Sequence, residues 1–168
     1  MNTLQSRHRQ EESVNPSSDY RISTDRTQLD VPLIHRFLSQ ESYWARTVPL
    51  NVVERSIAHS LCFGLYRAGC QIGFARVVTD AATFGYLADV FVVAPYRGKG
   101  LGRRLIEAVV SHPDLQGLQH FLLATRDGRK LYRQFGFITV KPPRVIMEMG
   151  DSDIQLSHGA ASQQRSLS

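Results

Sequence analysis

Six residues, Arg97-Gly98-Lys99-Gly100-Leu101-Gly102, combine backbone freedom with cationic charge. They stand where an apolar β-run, Val90-Phe91-Val92-Val93, gives way to an amphipathic helix beginning near Leu101. Glycine removes the side chains that keep a ligand away from backbone N–H groups, and the first turn of a helix leaves several such donors without an intrahelical partner, beside a partial positive charge. Arg97, Lys99, Arg103 and Arg104 add cations around the same point. The chemistry implied is capture of an anion, a pyrophosphate above all, by oriented amides and neutralising side chains together. The P-loop ending and the third glycine of the dinucleotide fingerprint are both missing, since Leu101 follows Gly100 and Arg103 follows Gly102.

A second constellation lies downstream. Arg129-Lys130-Leu131-Tyr132-Arg133-Gln134-Phe135-Gly136-Phe137 reads as a short helix closed by Gly136 in the left-handed C′ position, with a strand opening on Phe137. The pattern Arg-x-x-Gly-x-Gly from Arg97 to Gly102, followed by Leu-Tyr-x-x-x-Gly-Phe from Leu131 to Phe137, resembles the coenzyme loop and the tyrosine element of the GNAT superfamily of N-acetyltransferases. The two motifs come in the family's order with one strand between them. Residues 84–148 then form a strand, helix, strand, helix, strand series. Two positions depart from the family pattern: Pro95 stands two residues before Arg97 instead of three, and Gly128 stands four before Tyr132 where Ala is common. The glycine is expected to cost the short helix ~1 kcal/mol at most.

The resemblance implies a mixed α/β domain with a central, mostly antiparallel sheet, two parallel strands that splay at the coenzyme site, and flanking helices. It implies acetyl-CoA as co-substrate, an amine as acceptor, direct attack with both bound, and a homodimer as the family's common assembly. Arg97, Gly98, Lys99, Gly100, Leu101, Gly102 and Arg103 would hold the pyrophosphate. Phe91, Val92 or Val93 would offer a backbone N–H to the thioester oxygen beside a β-bulge. Tyr132 would be the acid toward the departing sulfur, a phenol being protonated at neutral pH; on spacing alone it would simply pack beside Leu131 and Phe135. Asp89 has two readings, a base toward the amine or a carboxylate bonding free backbone N–H groups at the splay. A CoA-sensing or protein-binding domain without turnover is the alternative from another class.

The other reactive side chains read as structural. Cys62 alternates with Leu61 and Phe63 on a strand and so reads as packing rather than as an acyl carrier. Asp80 reads as a turn residue. His35, His59, His112 and His120 lack metal-ligand spacing, so no metal site is expected. Tyr43-Trp44 falls where the family builds one wall of the acceptor cleft, either to hold an apolar or cationic amine or to cover the core.

The elements that must position these groups follow from periodicity. Residues 20–23 read as a strand, and 31–39 as a helix with Pro32 in its first turn. Asn51 reads as the N-cap of a second helix through 59. Residues 61–66 and 71–78 form a hairpin, 84–93 a further strand, and 100–110 a helix with Leu101, Leu105, Ile106 and Val109 on one face. If Arg67 pairs with Cys70 across the turn at Ala68-Gly69, Cys62 falls opposite Ala75 and the two thiols cannot meet.

At 168 residues with 42% hydrophobic content the chain can build one ordinary core. Residues 1–18 and 150–168 are polar and read as tails, leaving 19–149 as the domain. The net charge of +5 permits nucleic-acid binding, but the cations cluster at the helix starts that the coenzyme reading already uses, so no nucleic acid is expected. Neither an apolar span nor a secretory pattern is visible, and free thiols fit a reducing compartment, so no membrane and a cytoplasmic location are expected.

Overall fold

The structure, a computed structural model, describes residues 19–140. The expected tails and the stretch 141–149 of the expected domain lie outside the described residues. A compact unit ends at Phe137 and a second begins at Ile138; the description below concerns the first.

Five strands, β1 (Tyr20–Ser23), β2 (Leu61–Arg67), β3 (Cys70–Thr79), β4 (Phe84–Val92) and β5 (His120–Leu123), lie side by side in chain order. All neighbours are antiparallel except β4 and β5, which run parallel. Before β2 come α1 (Val31–Arg36), which continues as a π-helical turn over Phe37–Glu41, and α2 (Leu50–Ala58). After β4 come α3 (Leu101–Val110) and, beyond β5, α4 (Arg129–Arg133). The expected mixed sheet with flanking helices is therefore present.

Alternation along the strands divides the core. Phe63, Leu65, Ala75, Val77 and Leu87 pack with Leu101, Leu105 and Val109 of α3. Cys62, Phe74 and Phe91 pack with Ile34, Phe37, Leu38, Val53 and Ile57 of α1, its π turn and α2. Helices on both faces explain why β2 and β3 read as nearly unbroken apolar runs. Asp30 caps α1 by accepting the Leu33 N–H at 2.9 Å, and Pro32 sits in the first turn where its missing donor costs nothing.

Local signals misplaced three details. Helix α2 begins at Leu50 with Pro49 as its N-cap, so Asn51 lies inside the helix; the proline's preset extended backbone (φ −67°, ψ 150°) starts the helix without a side-chain cap. Residues 137–140 carry no strand, and the remainder of the expected last strand lies outside the described residues. In the hairpin, Arg67 does face Cys70, but Leu65 faces Gly73 and Tyr66 faces Gln71, so Ile72 is an extra residue in β3. That bulge moves Cys62 opposite Arg76 instead of Ala75. Both cysteines are free, Cys62 buried and Cys70 exposed.

Gly73 shows how tightly the sheet is closed near β4. It faces Val92, and a Cβ there would lie 2.8 Å from the Phe91 carbonyl oxygen and 3.1 Å from Leu65 Cδ2. The first obstacle is backbone and cannot rotate away. Gly73→Ala should therefore lower stability by about 1–3 kcal/mol, read as a lower denaturant midpoint. Gly69→Asn, in open space at φ 81° in the hairpin turn, should leave the midpoint nearly unchanged; equal losses at the two positions would refute the close approach.

Candidate active site

The glycine loop has the conformation its composition demands. Gly98 (φ 76°) and Gly100 (φ 74°) are left-handed, and Gly100 is the N-cap of α3, where no side chain bonds the first turn. Arg104 N–H reaches back to the Gly100 carbonyl at 3.1 Å, so the N–H groups of Leu101, Gly102 and Arg103 precede the first intrahelical bond. A Cβ on Gly98 or Gly100 would meet nothing within 4 Å, so it is open space that these two glycines face. Pro95 sits in a tight turn, Ala94–Tyr96, that delivers the loop to α3. A groove of about 400 Å³ runs past this turn and is lined by Phe91, Val92, Arg97, Gly98, Gly100, Leu101 and Gly102 of the expected set. Val93, Lys99 and Arg103 do not line it; Lys99 and Arg103 are exposed on the loop and the first helical turn. Amides ahead of the first intrahelical bond, αL glycines and nearby cations fit a pyrophosphate.

Arg97 does more than supply charge. Its Nε donates to the Val92 carbonyl at 2.8 Å, and its guanidinium lies 5.8 Å from the centre of the Phe37 ring. It ties the loop to the end of β4.

The edge of β4 is open where the expectation placed the thioester. Parallel pairing with β5 runs only from Phe84 opposite His120 to Leu87 opposite Leu123. Just beyond that point β4 carries a bulge against β3: Phe74 faces Phe91 and Arg76 faces Ala88, so Asp89 and Val90 together oppose Ala75. Asp89 takes the left-handed conformation (φ 53°), which aspartate tolerates better than most side chains. Of the three candidate amides, Val93 donates to the Ile72 carbonyl at 2.9 Å, and that bond sets the parity of the ladder. Val92, one residue earlier, consequently turns its N–H and C=O to the opposite edge, which is where its carbonyl meets Arg97. Val93 is thus a correction to the expected donor set, and Val92 is the amide facing the groove.

Tyr132 stands on α4, which has Gly128 as its N-cap and is followed by a turn that ends on Gly136. Gly136 (φ 87°) donates to the Arg133 carbonyl and Phe137 to the Tyr132 carbonyl at 3.3 Å, the closing pattern expected of a left-handed glycine. The ring packs edge-on to Phe137, with centres 6.0 Å apart. Burial first, and the neighbouring Tyr43 phenol second, push its pKa up to about 12. Gly128 is more than a weak helix start: a Cβ there would lie 2.8 Å from Tyr132 Cε2 and 2.9 Å from Thr125 Oγ1. The family's alanine would displace the ring in this chain, so the substitution is a packing requirement.

Asp89 bonds no free strand amide. One carboxylate oxygen accepts from Arg76 Nε at 2.5 Å and the other from the Trp44 indole N–H at 3.0 Å, with the aspartate side chain only 9% exposed. Arg76 also reaches Ser60 Oγ at 3.3 Å. Sequence reasoning passed over Arg76, although a lone arginine inside the apolar run Phe74 to Val78 signals a buried charge that needs a partner. Trp44 is carried here by the π turn: Ser42 N–H bonds the Phe37 carbonyl at 3.0 Å, and the buried Ser42 hydroxyl donates to Leu38 O and accepts from Ala45 N–H. Tyr43 points across to α4's approach, its oxygen accepting the Arg126 N–H at 3.1 Å while the Arg126 guanidinium covers its ring at 4.0 Å.

These groups line a second cleft of about 770 Å³, bounded by the loop after α1, α2, β4 and the stretch 124–128. Trp44, Val90, Gly128 and Tyr132 line both this cleft and the glycine-loop groove, so the two cavities meet at the Tyr132 ring. Other candidate groups fall elsewhere. Cys62 is buried, and desolvation raises its pKa to about 11, which leaves an inert thiol. Asp80 accepts from the N–H groups of Ala82, Thr83 and Phe84 and from the Thr83 hydroxyl, which hold its pKa low and make it the organiser of that turn. Among the described residues no group of three or more His, Cys, Asp or Glu side chains could hold a metal ion, and no helix is long and apolar enough to cross a membrane.

Known proteins resemble this chain in sequence and in fold. The acetyltransferase (GNAT) domain family matches residues 58–139. A curated Gibberella zeae protein, provisionally named an acetyltransferase, is 32% identical over 148 residues, covering 70% of this chain and 82% of its own. A predicted acetyltransferase from Clostridium acetobutylicum, solved with acetyl-CoA, has the same fold at 16% identity and a TM-score of 0.59, over 78% of this chain and 94% of that one. A crystal structure from Xanthomonas campestris pv. campestris, provisionally assigned as a GNAT acetyltransferase, is 49% identical with a TM-score of 0.77, over 80% of this chain and 95% of that one. Likeness of that extent in sequence and fold makes this chain a member of the GNAT family of acetyltransferases.

Proposed function

We propose that the protein transfers the acetyl group of acetyl-CoA directly to a primary amine while both are bound. The observation that carries this reading is the meeting of the two cavities at Tyr132: one has the donors for a pyrophosphate, the other room for an acceptor. Holding amine and thioester together removes the entropy of their encounter, which can supply much of the acceleration.

In this reading the amides of Leu101, Gly102 and Arg103 hold the pyrophosphate, with Arg97, Gly98, Lys99 and Gly100 shaping and charging the loop. The Val92 N–H faces the thioester oxygen and stabilises the charge that develops there. The amine nitrogen forms a bond to the acetyl carbon as the carbon–sulfur bond breaks. Tyr132 gives its proton to sulfur, and it takes up the proton that the nitrogen sheds. No charge remains on the buried ring, which is what a phenol with a pKa near 12 requires. If Asp89 took the amine proton, its carboxyl would lose the charge that pairs with the sheltered Arg76 guanidinium. We therefore assign it a positioning role, holding the indole against β4.

The primary test is release of free thiol from acetyl-CoA in the presence of a panel of amines. Gly102→Val should weaken coenzyme binding at least tenfold by calorimetry. Thermal stability should hold, because Gly102 is helical and a Cβ there finds only Leu131 Cδ2, at 3.9 Å. Raising salt should weaken binding in the parent through screening of Lys99 and Arg103.

Tyr132→Phe should lower kcat by roughly 10²-fold with coenzyme affinity intact. Because burial holds the phenol's pKa near 12, the parent's kcat should show no alkaline fall through pH 10; a fall below that pH abolished by Tyr132→Phe would contradict the environment described.

Asp89→Asn should raise the acceptor KM and lower the melting temperature. The rising limb of kcat/KM should follow the acceptor's own pKa in parent and variant alike. A limb that vanishes only in the variant would make Asp89 the base after all.

A further inference from the structure

Three of the four exposed large aromatic side chains among the described residues, Tyr43, Trp44 and Tyr86, line the 770 Å³ cleft; the fourth, Phe84, does not. Val48, just before α2, and Val52, on it, add aliphatic wall. Apolar faces gathered on one concavity and left open to water mark a surface that a ligand covers, and the volume suits a small molecule.

The charges of the cleft are equally informative. Its described lining holds two cations and two anions, and each cation is engaged. Arg76 pairs with Asp89 at 2.5 Å, and Arg126 pairs with Asp127 at 3.3 Å while its guanidinium covers the Tyr43 ring. An acceptor carrying a phosphate or carboxylate would need a surplus cation here, and a polyamine would need surplus carboxylates. Neither surplus is present among the described residues. This neutrality is local, because the chain as a whole carries +5 and its glycine loop is strongly basic.

From the aromatic walls and the balanced charge we infer that the acceptor is a small primary amine on an uncharged, apolar or aromatic body. This rests on the acetyltransferase reading and narrows it. The amine reaches the Tyr132 end of the cleft, and the body lies against Trp44, Tyr43 and Tyr86. Tyr86 is then a specificity-determining residue: it lines the acceptor cleft but not the glycine-loop groove.

Trp44 is the single tryptophan of the chain, so its fluorescence reports directly on the wall of this cleft. The full chain, with coenzyme A present, is titrated with 2-phenylethylamine, spermidine and glucosamine 6-phosphate. 2-Phenylethylamine should give a saturable fluorescence change at a concentration at least tenfold below the other two. Its kcat/KM in thiol release should lead by the same order, and Tyr86→Ala should raise its KM severalfold without altering coenzyme affinity by calorimetry. Equal or tighter response to spermidine or glucosamine 6-phosphate would overturn the inference, as would no response to any of the three when calorimetry shows coenzyme bound. An unchanged KM for the aromatic amine in Tyr86→Ala would overturn the part assigned to that ring. Failure of the coenzyme itself to bind would instead overturn the acetyltransferase reading, and this inference with it.

Discussion

The parallel pairing of β4 with β5 stops after four residues, and just beyond it β4 carries a bulge against β3 at which the Asp89 carboxylate is held between Arg76 and Trp44. A buried strand edge cannot end its pairing freely, because each backbone group withdrawn from water needs a partner. Here the freed edge faces a groove. Val92 shows why the short ladder matters: had the pairing with β5 run on to this residue, its N–H and C=O would have been absorbed. The loop that carries the helix start would also have lost the carbonyl that Arg97 now grips.

The same ion pair links the two halves of the site. Arg76 comes from the middle of β3, Trp44 from the π turn after α1, and both meet Asp89. A guanidinium and carboxylate this sheltered are costly to desolvate, so their value lies less in net stability than in fixing geometry. The indole is held over the junction of the two cavities by a bond that an apolar contact could not aim. Tyr43 makes the equivalent clamp on the other wall through the Arg126 amide. The Tyr43-Trp44 wall of the larger cleft is therefore tied to the sheet at one end and to the approach of α4 at the other.

Charge is distributed by task. Cations crowd the glycine loop, whereas every described cation of the larger cleft has an anion beside it. Tyr132 stands between these environments, buried enough to stay protonated and packed by a ring contact that only glycine at position 128 leaves room for.

What could be read along the chain was whatever depends on neighbours in sequence. The αL glycines Gly98, Gly100 and Gly136, the apolar stripe of α3, the turn at Ala68-Gly69 and the Asp80 turn are local, since φ preference and side-chain period act over a few residues. Together with the spacing of the two motifs they determined the family and the position of the loop. The tertiary structure decided what depends on residues far apart. Ile72 bulges out and moves every partner of β2 beyond it by one, which no local pattern records. Asp89 finds Arg76 and Trp44 instead of strand amides, and Val93 is taken by Ile72 so that Val92 faces the groove. Tyr43 reaches Arg126 across 83 positions. Each is settled by register and by the closest available partner in three dimensions, and a one-residue slip in pairing reverses which face or edge a group presents.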